Sequence, residues 1–251
     1  MSPDLWPVWE NGVSARFYSP DPPRDGKLHL LADEARHLSR VCRFGVGDVV
    51  EVFDGNGGAS RAQVVKIDND RVELTVVGAA IPDRPAPLRL TLASAVPKGD
   101  RFDWLVEKAT ELGIERMIPI VTERSVVTPG DPKLERLRRA IVEASKQCGR
   151  NQLMVLEPLS RWEHLVGTCP GAIKLLADPT GIPPRQWPGI TPGRLVVLAV
   201  GPEGGFTDQE RQIADQMGWL AISLSVNTLR IETAGLAGCA ALLTHVKELD
   251  P

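Results

Sequence analysis

Two short segments near the C-terminus combine residue types that can bind and act on a ligand. The first is Gly201-Pro202-Glu203-Gly204-Gly205-Phe206, and the second is Asn227-Thr228-Leu229-Arg230-Ile231-Glu232-Thr233. Glycines let a ligand approach the main chain closely, and a corner before a helix presents free backbone N–H groups. The residues therefore predict a small-molecule or anion site. A tight turn that binds nothing is the alternative for a single glycine-rich corner.

Predicted strands and helices bring both segments to one edge of a sheet. The apolar run Leu195–Val200 predicts a buried strand directly before the first segment, and Thr207 with Glu210 forms a capping box that opens a helix after it. A second strand is predicted over 219–224 and an apolar helix over 233–247. Open α/β sheets bind ligands at the carboxyl ends of their strands, so both segments should lie at that edge.

Composition indicates a soluble protein without a membrane anchor. Of the 251 residues, 24% are charged and 43% are hydrophobic, which is ordinary for a globular protein. The N-terminus lacks the basic start and apolar run of a signal peptide, and no segment approaches the ~20 apolar residues of a membrane helix. We therefore expect a cytoplasmic protein with no membrane partner.

Cysteine and histidine positions argue against a metal site. The four cysteines lie far apart without a C-x-x-C pair, and the four histidines are not at ligand spacing near them. The formal net charge is −3. An RNA-binding protein with this charge must concentrate its positive side chains locally.

The first third of the chain predicts a small β-barrel over residues 16–80. Residues 1–15 show no periodicity and are interpreted as an extended arm. Short strands are predicted over 15–18, 27–30, 48–53, 61–67 and 71–77, with one helix over 33–42. The expected apolar face of this helix consists of Leu31, Ala35, Leu38 and Val41. Another face carries Arg36, Arg40 and Arg43. This positive stripe is equally consistent with contacts to RNA phosphates and with a helix face that is only exposed to solvent.

Residues 81–87 contain three prolines and predict a stiff linker. Beyond it, strands alternate with helices, which predicts a mainly parallel sheet within a domain over 88–251. Strands are expected over 88–95, 117–121, 153–156 and 173–178, and a loop over 179–192. Asp100 and Asp131 are predicted to cap the helices that follow them. The helix after Asp131 carries Lys133, Arg136, Arg138, Arg139 and Lys146, with Arg150 just beyond. This cluster is interpreted as an RNA track, with a solvated helix as the alternative.

Several of these segments resemble one family, the 16S ribosomal RNA uridine-N3 methyltransferases of the knotted SPOUT class. The resemblance is carried by the Gly201 and Arg230 segments already quoted, and also by Pro97-Lys98-Gly99-Asp100, Glu111-Leu112-Gly113 and Gln147-Cys148-Gly149-Arg150-Asn151. It implies a trefoil-knotted α/β methyltransferase domain after a PUA-like RNA-binding barrel. It also implies S-adenosylmethionine as cofactor, a homodimer, and N3 of one uridine in 16S rRNA or the small ribosomal subunit as substrate.

The resemblance also implies roles for individual residues. Arg230 is the candidate for stabilising a developing anion or positioning a phosphate, and Glu203 and Glu232 are candidates for proton acceptor or orienting group. The alternative for Glu232 is a carboxylate that only favours the dipole of the last helix, and Thr233 is interpreted as a cap. The predicted cofactor contacts are Gly201, Pro202, Glu203, Gly204, Gly205, Leu224, Ser225, Asn227, Thr228, Leu229 and Arg230. The predicted RNA contacts are Arg16, Arg36, His37, Arg40, Arg43, Lys98, Lys133, Arg136, Arg139, Lys146 and Arg150.

The chain departs from the family pattern at a few positions. Ser225 stands where glycine is usual, Asn227 where arginine is usual and Ile231 where threonine is usual, while Arg36-His37 replaces paired histidines. Two other functions stay open on this basis. One is a related knotted methyltransferase acting on another rRNA or tRNA nucleotide, and the other is a non-catalytic RNA-binding protein of the same fold.

Overall fold

A computed structural model of the chain describes residues 16–246. The predicted arm over 1–15 and the last residue of the predicted C-terminal helix, Lys247, lie outside these residues. The chain separates into two compact units. The first extends to Arg84 and includes Ser145–Leu153, and the second comprises Pro85–Ala144 and the residues from Met154 onward.

The first unit is built on a five-stranded sheet. Its strands are β1 (Arg16–Tyr18), β2 (Lys27–Leu31), β3 (Val49–Phe53), β4 (Ala59–Ile67) and β5 (Arg71–Ile81). They lie in the order β1-β3-β4-β5-β2, with β1 parallel to β3 and the other neighbours antiparallel. All five strands contribute buried side chains to one core. Within residues 16–246, no ladder joins β1 to β2, so strand pairing leaves the predicted barrel open between these two edges.

The predicted helix of this unit is present but differs in its buried face. Helix α1 (Ala32–Arg36) continues as a π-helical turn over His37–Val41. Ala35 and Leu38 are fully buried, whereas Leu31 is 56% and Val41 68% exposed. Leu31 ends β2 on its outward side, and the wider π turn carries Val41 off the face that ordinary helical spacing assigns to it.

The second unit contains the predicted parallel sheet. Its strands are β6 (Arg89–Ala95), β7 (Arg116–Val121), β8 (Val155–Leu156), β9 (Ser160–Arg161), β10 (Ile173–Ile182), β11 (Leu195–Val200) and β12 (Leu220–Ile222). The order is β12-β10-β11-β6-β7-β8, with β9 also against β7, and every pairing is parallel. The strands that precede the two site segments, β11 and β12, therefore end at the same edge, with β10 between them.

Strand lengths differ from the prediction at several places; β5 runs to Ile81 rather than to residue 77, and β12 covers Leu220–Ile222 of the predicted 219–224. β10 reaches Ile182, which pairs with Ile222, so the start of the predicted loop over 179–192 belongs to the sheet. Gly181 allows this close pairing, because a Cβ there would lie 2.4 Å from the backbone nitrogen of Ile222. β8 has only two residues, and β9 with the helical turn after it was not predicted.

The helices of the second unit are α2 (Arg101–Glu111), α3 (Asp131–Cys148), α4 (Trp162–Leu165), α5 (Asp208–Gln216) and α6 (Ile231–Thr244). The capping box of α5 forms as predicted. Two other predicted caps are wrong. Asp100 occupies the N-cap position without a side-chain capping bond, and α6 begins two residues before Thr233, with Arg230 as its N-cap.

Asp131 is the first residue of α3, because the Leu134 N–H already bonds to the carbonyl of Gly130. The predicted cap therefore lies one residue inside the helix, where its charge still favours the helix dipole. None of the helices described between residues 16 and 246 combines the length and apolar character needed to cross a bilayer.

Candidate active site

The glycine-rich loop follows β11 at the carboxyl edge of the sheet. Gly201 and Pro202 are buried, whereas Glu203 and Gly204 are exposed. The Gly205 N–H bonds to the Pro202 carbonyl at 2.8 Å, which closes a tight turn. Gly205 has φ +68°, a left-handed conformation that suits a residue without a Cβ. The loop therefore exposes main chain between a strand end and the start of α5.

Aromatic side chains support the loop on its buried side. A Cβ on Gly201 would lie 2.9 Å from two ring carbons of Phe206, so only glycine fits against this ring. Phe206 is 1% exposed and packs on Trp162 with ring centroids 4.8 Å apart, and Trp162 packs on Trp219 at 5.1 Å. This apolar stack fixes the position of the loop relative to the core.

A neighbouring loop supports the exposed part of the turn. Arg124, which follows β7, donates from Nη1 to the Gly204 carbonyl at 2.7 Å. The adjacent Glu123 N–H bonds to the Glu210 carboxylate at 2.9 Å, and Glu210 belongs to the capping box that opens α5. Hydrogen bonds thus join the loop after β7 to the glycine-rich segment and to the start of α5.

The second predicted segment follows β12 and leads into α6. Ser225 accepts the Asn227 N–H at 3.1 Å, which forms a compact turn, and the Val226 side chain is fully exposed. Arg230 is exposed and extended at φ −69°, ψ 157°. Within residues 16–246 its guanidinium has no ion-pair or hydrogen-bond partner, so it is available to an anionic ligand.

Glu232 is the most unusual group at this edge. It lies in the first turn of α6, is 6% exposed, and its Oε2 has no hydrogen-bond partner among the described residues. Leaving a buried carboxylate oxygen unpaired costs free energy, and such groups concentrate at functional sites. The other oxygen, Oε1, lies 3.6 Å from Nη1 of Arg101.

Arg101 joins the two predicted segments and was missed by the sequence analysis. It begins α2, directly after β6, and its Nη2 lies 3.8 Å from the Glu203 carboxylate. β6 is the neighbour of β11, with Ser94 opposite Val200, so the loops that follow these strands start side by side. The sequence shows that a basic residue follows a predicted strand end. It does not show the order of the strands in the sheet, so it could not place Arg101 between the two segments.

Asp178 is a second buried carboxylate at the same edge that the sequence analysis treated only as a strand residue. It is 6% exposed and lies within β10, between the ends of β11 and β12. The N–H and hydroxyl of Thr180 donate to Asp178 at 2.8 and 2.7 Å, and Arg211 lies 3.5 Å away. Its charge is satisfied within the protein, unlike that of Glu232.

Two glycines on α6 hold Glu232 against the sheet. A Cβ on Gly235 would lie 3.3 Å from Leu92 and Leu105, and a Cβ on Gly238 would lie 2.6 Å from Leu198. The helix therefore packs against β6 and β11 more closely than larger residues would allow. Its first turn, with Glu232, is fixed at the sheet edge.

Two predicted RNA contacts are buried, which contradicts their assignment. Arg16 is 5% exposed and donates to the carbonyls of Ser145 and Arg150 at 2.9 Å each, and burial lowers the pKa of its guanidinium. Lys146 is 7% exposed and pairs with Glu34. Their charged groups are used inside the first unit and cannot reach a phosphate.

Other predicted RNA contacts form ion pairs at the surface. Arg36 bonds to Asp70 at 2.7 Å, and Lys133 and Arg136 both pair with Asp103, at 2.9 and 2.5 Å. The Arg36–Asp70 pair is exposed, whereas Lys133 and Asp103 are half-buried; water still reaches these pairs, so a phosphate can compete for the cations. The predicted cations that remain exposed are Arg40, Arg43, Lys98 and Arg139.

His37 and Arg150 are only partly exposed. The His37 ring packs edge-on against Phe17, with centroids 5.9 Å apart, so part of its surface belongs to the core.

In the part of the chain that the structure describes, no cluster of three or more His, Cys, Asp or Glu side chains could hold a metal ion.

A parallel sheet that gathers a glycine-rich loop, a buried carboxylate and two arginines at its carboxyl edge defines an α/β enzyme. Two family models match the chain, an RNA methyltransferase domain over residues 84–243 and an RNA methyltransferase PUA domain over residues 30–77. The chain therefore belongs to the RNA methyltransferase family, as its motifs predict.

Individual relatives cover most of the chain. The ribosomal RNA small subunit methyltransferase E of Synechocystis sp. is 33% identical over 87% of this chain and 73% of that protein. The crystal structure of this methyltransferase from Neisseria gonorrhoeae, bound to S-adenosyl methionine, has a TM-score of 0.85 at 31% identity, covering 92% of this chain and 97% of that one. A methyltransferase structure from Legionella pneumophila with bound SAM has a TM-score of 0.84 at 29% identity, covering 94% and 99%.

Proposed function

We propose that this protein transfers a methyl group from S-adenosylmethionine to N3 of a specific uridine in 16S ribosomal RNA. The observation that carries the proposal is the Glu232 carboxylate, 6% exposed with one oxygen unpartnered, at the edge that also bears the glycine-rich loop. Membership in the RNA methyltransferase family supports the reaction class. The relatives that carry bound S-adenosylmethionine support the cofactor.

The residues at this edge fit S-adenosylmethionine. The loop from Gly201 to Gly205 offers main-chain groups at three glycines, which carry no side chain, and Leu224 offers an apolar surface close to Gly238. We assign the cofactor contacts to Gly201, Pro202, Glu203, Gly204, Gly205, Leu224, Ser225, Asn227, Thr228, Leu229 and Arg230. When bound, S-adenosylmethionine supplies an electrophilic methyl group on a sulfonium centre.

The side chains supply the proton chemistry that N3 methylation requires. Uridine N3 keeps its proton at neutral pH, so a base must remove it before or during methyl transfer. We assign this role to Glu232, because its free Oε2 is an acceptor without a competing partner. N3 then forms its bond to the methyl carbon while sulfur keeps the electron pair of the bond that breaks. Arg230 stabilises the negative charge that develops on the uracil oxygens or holds a flanking phosphate.

Exposed cations of each unit are proposed to contribute to RNA binding. Arg40, Arg43, Lys98 and Arg139 present charge to solvent, and Arg36, Lys133 and Arg136 can exchange weak surface pairs for phosphates. The target base must leave its stacked position to reach the sheet edge. We propose rRNA or the small ribosomal subunit as the partner and the cytoplasm as the location of the protein.

Finer features of the architecture belong to the same proposal. We propose a trefoil knot in the C-terminal segment, as the resemblance to the family implies, and a domain layout of 16–80, 81–87 and 88–251 around the proline-rich linker. A homodimer is supported by α6, whose outer face consists of small or apolar residues that are not fully buried: Thr233, Leu236, Ala237, Ala240 and Ala241. Such a face suits close helix packing between two copies.

Methyl transfer from labelled S-adenosylmethionine to undermethylated small ribosomal subunits tests the proposal. We expect a single 3-methyluridine, identified by nuclease digestion and mass spectrometry of the nucleosides. Glu232→Gln should lower turnover on the order of 10²- to 10⁴-fold, the contribution of a general base. Glu135→Gln, which changes an exposed carboxylate on α3, is the control and should leave turnover unchanged.

The alternative functions give different products in this experiment. A different methylated nucleoside would assign the protein to the related knotted methyltransferases with another target. No labelled product, together with no heat of S-adenosylmethionine binding by titration calorimetry, would support a non-catalytic RNA-binding protein. Either result would refute the proposed reaction.

A further inference from the structure

Arg101 occupies an unusual position between two carboxylates from different loops. Its Nη1 lies 3.6 Å from Glu232, and its Nη2 lies 3.8 Å from Glu203. Its Nε donates to the backbone carbonyl of Lys98 at 3.1 Å, which anchors the side chain in the first turn of α2. One guanidinium therefore has a separate nitrogen directed to each of three partners.

We infer that Arg101 is a positioning residue for methyl transfer, which sets the Glu232 and Glu203 carboxylates on either side of one fixed cation. This inference rests on the proposed function of the site. A planar guanidinium carries donors in a rigid fork, so it can hold two carboxylates at a defined separation, which a lysine cannot. Without the cation, the two negative groups would repel each other and separate.

The ion pairs around Arg101 are not a major source of stability. The Arg101 side chain is 33% exposed and that of Glu203 is 47% exposed, so water and salt screen their attraction. Both ion-pair distances exceed those of ordinary hydrogen bonds. A purely structural role therefore predicts a small effect of substitution on folding and no selective effect on turnover.

Substitution of Arg101 should affect Glu232 more than Glu203, because the Glu232 carboxylate is buried. Arg101 is the cation that lies beside its Oε1, while Oε2 has no partner among the described residues. Removing the positive charge leaves a buried carboxylate uncompensated, which favours its movement toward water. A Glu232 carboxylate turned toward water is no longer held where it can accept the uridine N3 proton.

Three variants test the inference in the methyl-transfer assay. Arg101→Gln should lower kcat on the order of 10²-fold, the smaller end of a general base contribution, while the Kd for S-adenosylmethionine and the KM for RNA change less than about 3-fold. Arg101→Lys should recover part of the loss, because it restores the charge but not the fork. Arg89→Gln is the matched control, because Arg89 pairs with Glu115 at the opposite end of β6.

Two results would overturn the inference. One is an Arg101→Gln variant with wild-type kcat, and the other is a loss that appears only in the Kd for S-adenosylmethionine or in KM, since this would make Arg101 a ligand contact. Far-UV circular dichroism of Arg101→Gln should match the wild type, and its Tm should stay well above the assay temperature. Absence of transfer by the wild-type enzyme would instead refute the proposed function and this inference together.

Discussion

Gly201→Ala tests the idea that the aromatic stack sets the shape of the glycine-rich loop. The new Cβ would lie 2.9 Å from two carbons of the Phe206 ring, about 1 Å inside the optimal separation of two carbon atoms. The ring cannot turn away, because it packs on Trp162 with centroids 4.8 Å apart. Overpacking of this kind costs about 1–3 kcal/mol, so the urea midpoint and Tm should both fall.

The same substitution should weaken S-adenosylmethionine binding. If the cofactor requires the wild-type loop shape, restoring that shape against about 1.4 kcal/mol of strain raises Kd about tenfold. Titration calorimetry measures this change. Gly167→Ala is the control, because a Cβ at Gly167 meets nothing within 4 Å. It should change stability by less than about 0.5 kcal/mol.

A double-mutant cycle decides whether the clash with the ring is the cause. Phe206→Leu removes the ring atoms that a Cβ at position 201 would meet, so Gly201→Ala should cost less in the Phe206→Leu background. The two substitutions should be non-additive by about 1 kcal/mol or more, as expected for residues in contact. Additive effects, or a stable Gly201→Ala variant with unchanged Kd, would refute the reasoning.

Two further predictions concern the support of the loop and the buried charges. Arg124→Ala removes the 2.7 Å bond to the Gly204 carbonyl, and should raise the Kd for S-adenosylmethionine about tenfold, since charged hydrogen bonds contribute ~1.5–3 kcal/mol. Lys146→Met leaves the Glu34 carboxylate, 18% exposed, with the Tyr18 N–H but without its cation, and should lower the free energy of unfolding by about 1–3 kcal/mol in urea denaturation.

Controls separate these effects from general damage. Arg89→Ala removes an arginine that pairs with Glu115 at the start of β6, the strand end opposite the glycine-rich loop, and should leave Kd unchanged. Adding Glu34→Gln to Lys146→Met should recover part of the stability, because it removes the unpaired charge. A Lys146→Met variant of normal stability but weakened RNA affinity would restore Lys146 as an RNA contact.

Local sequence patterns were sufficient for the elements and for the two candidate segments. Leu195–Val200 is a strand, and the Thr207 capping box forms, because both depend on neighbouring residues. Alternating strands and helices predicted the parallel sheet for the same reason. Asp100 lies at the predicted N-cap position of α2 but makes no side-chain capping bond, and Thr233 failed as a cap because α6 begins two residues earlier.

Packing between segments distant in the sequence decided which charged side chains form pairs. Arg16 and Lys146 belong by type to a basic surface, yet each is buried with partners that lie far away in the sequence. The sequence by itself determined that a glycine-rich corner and a carboxylate follow two strands of a parallel sheet. Only the tertiary structure decided that β6 lies beside β11, and this strand order brings Arg101 between Glu203 and Glu232. Strand order depends on packing between distant segments, which no local pattern of residues records.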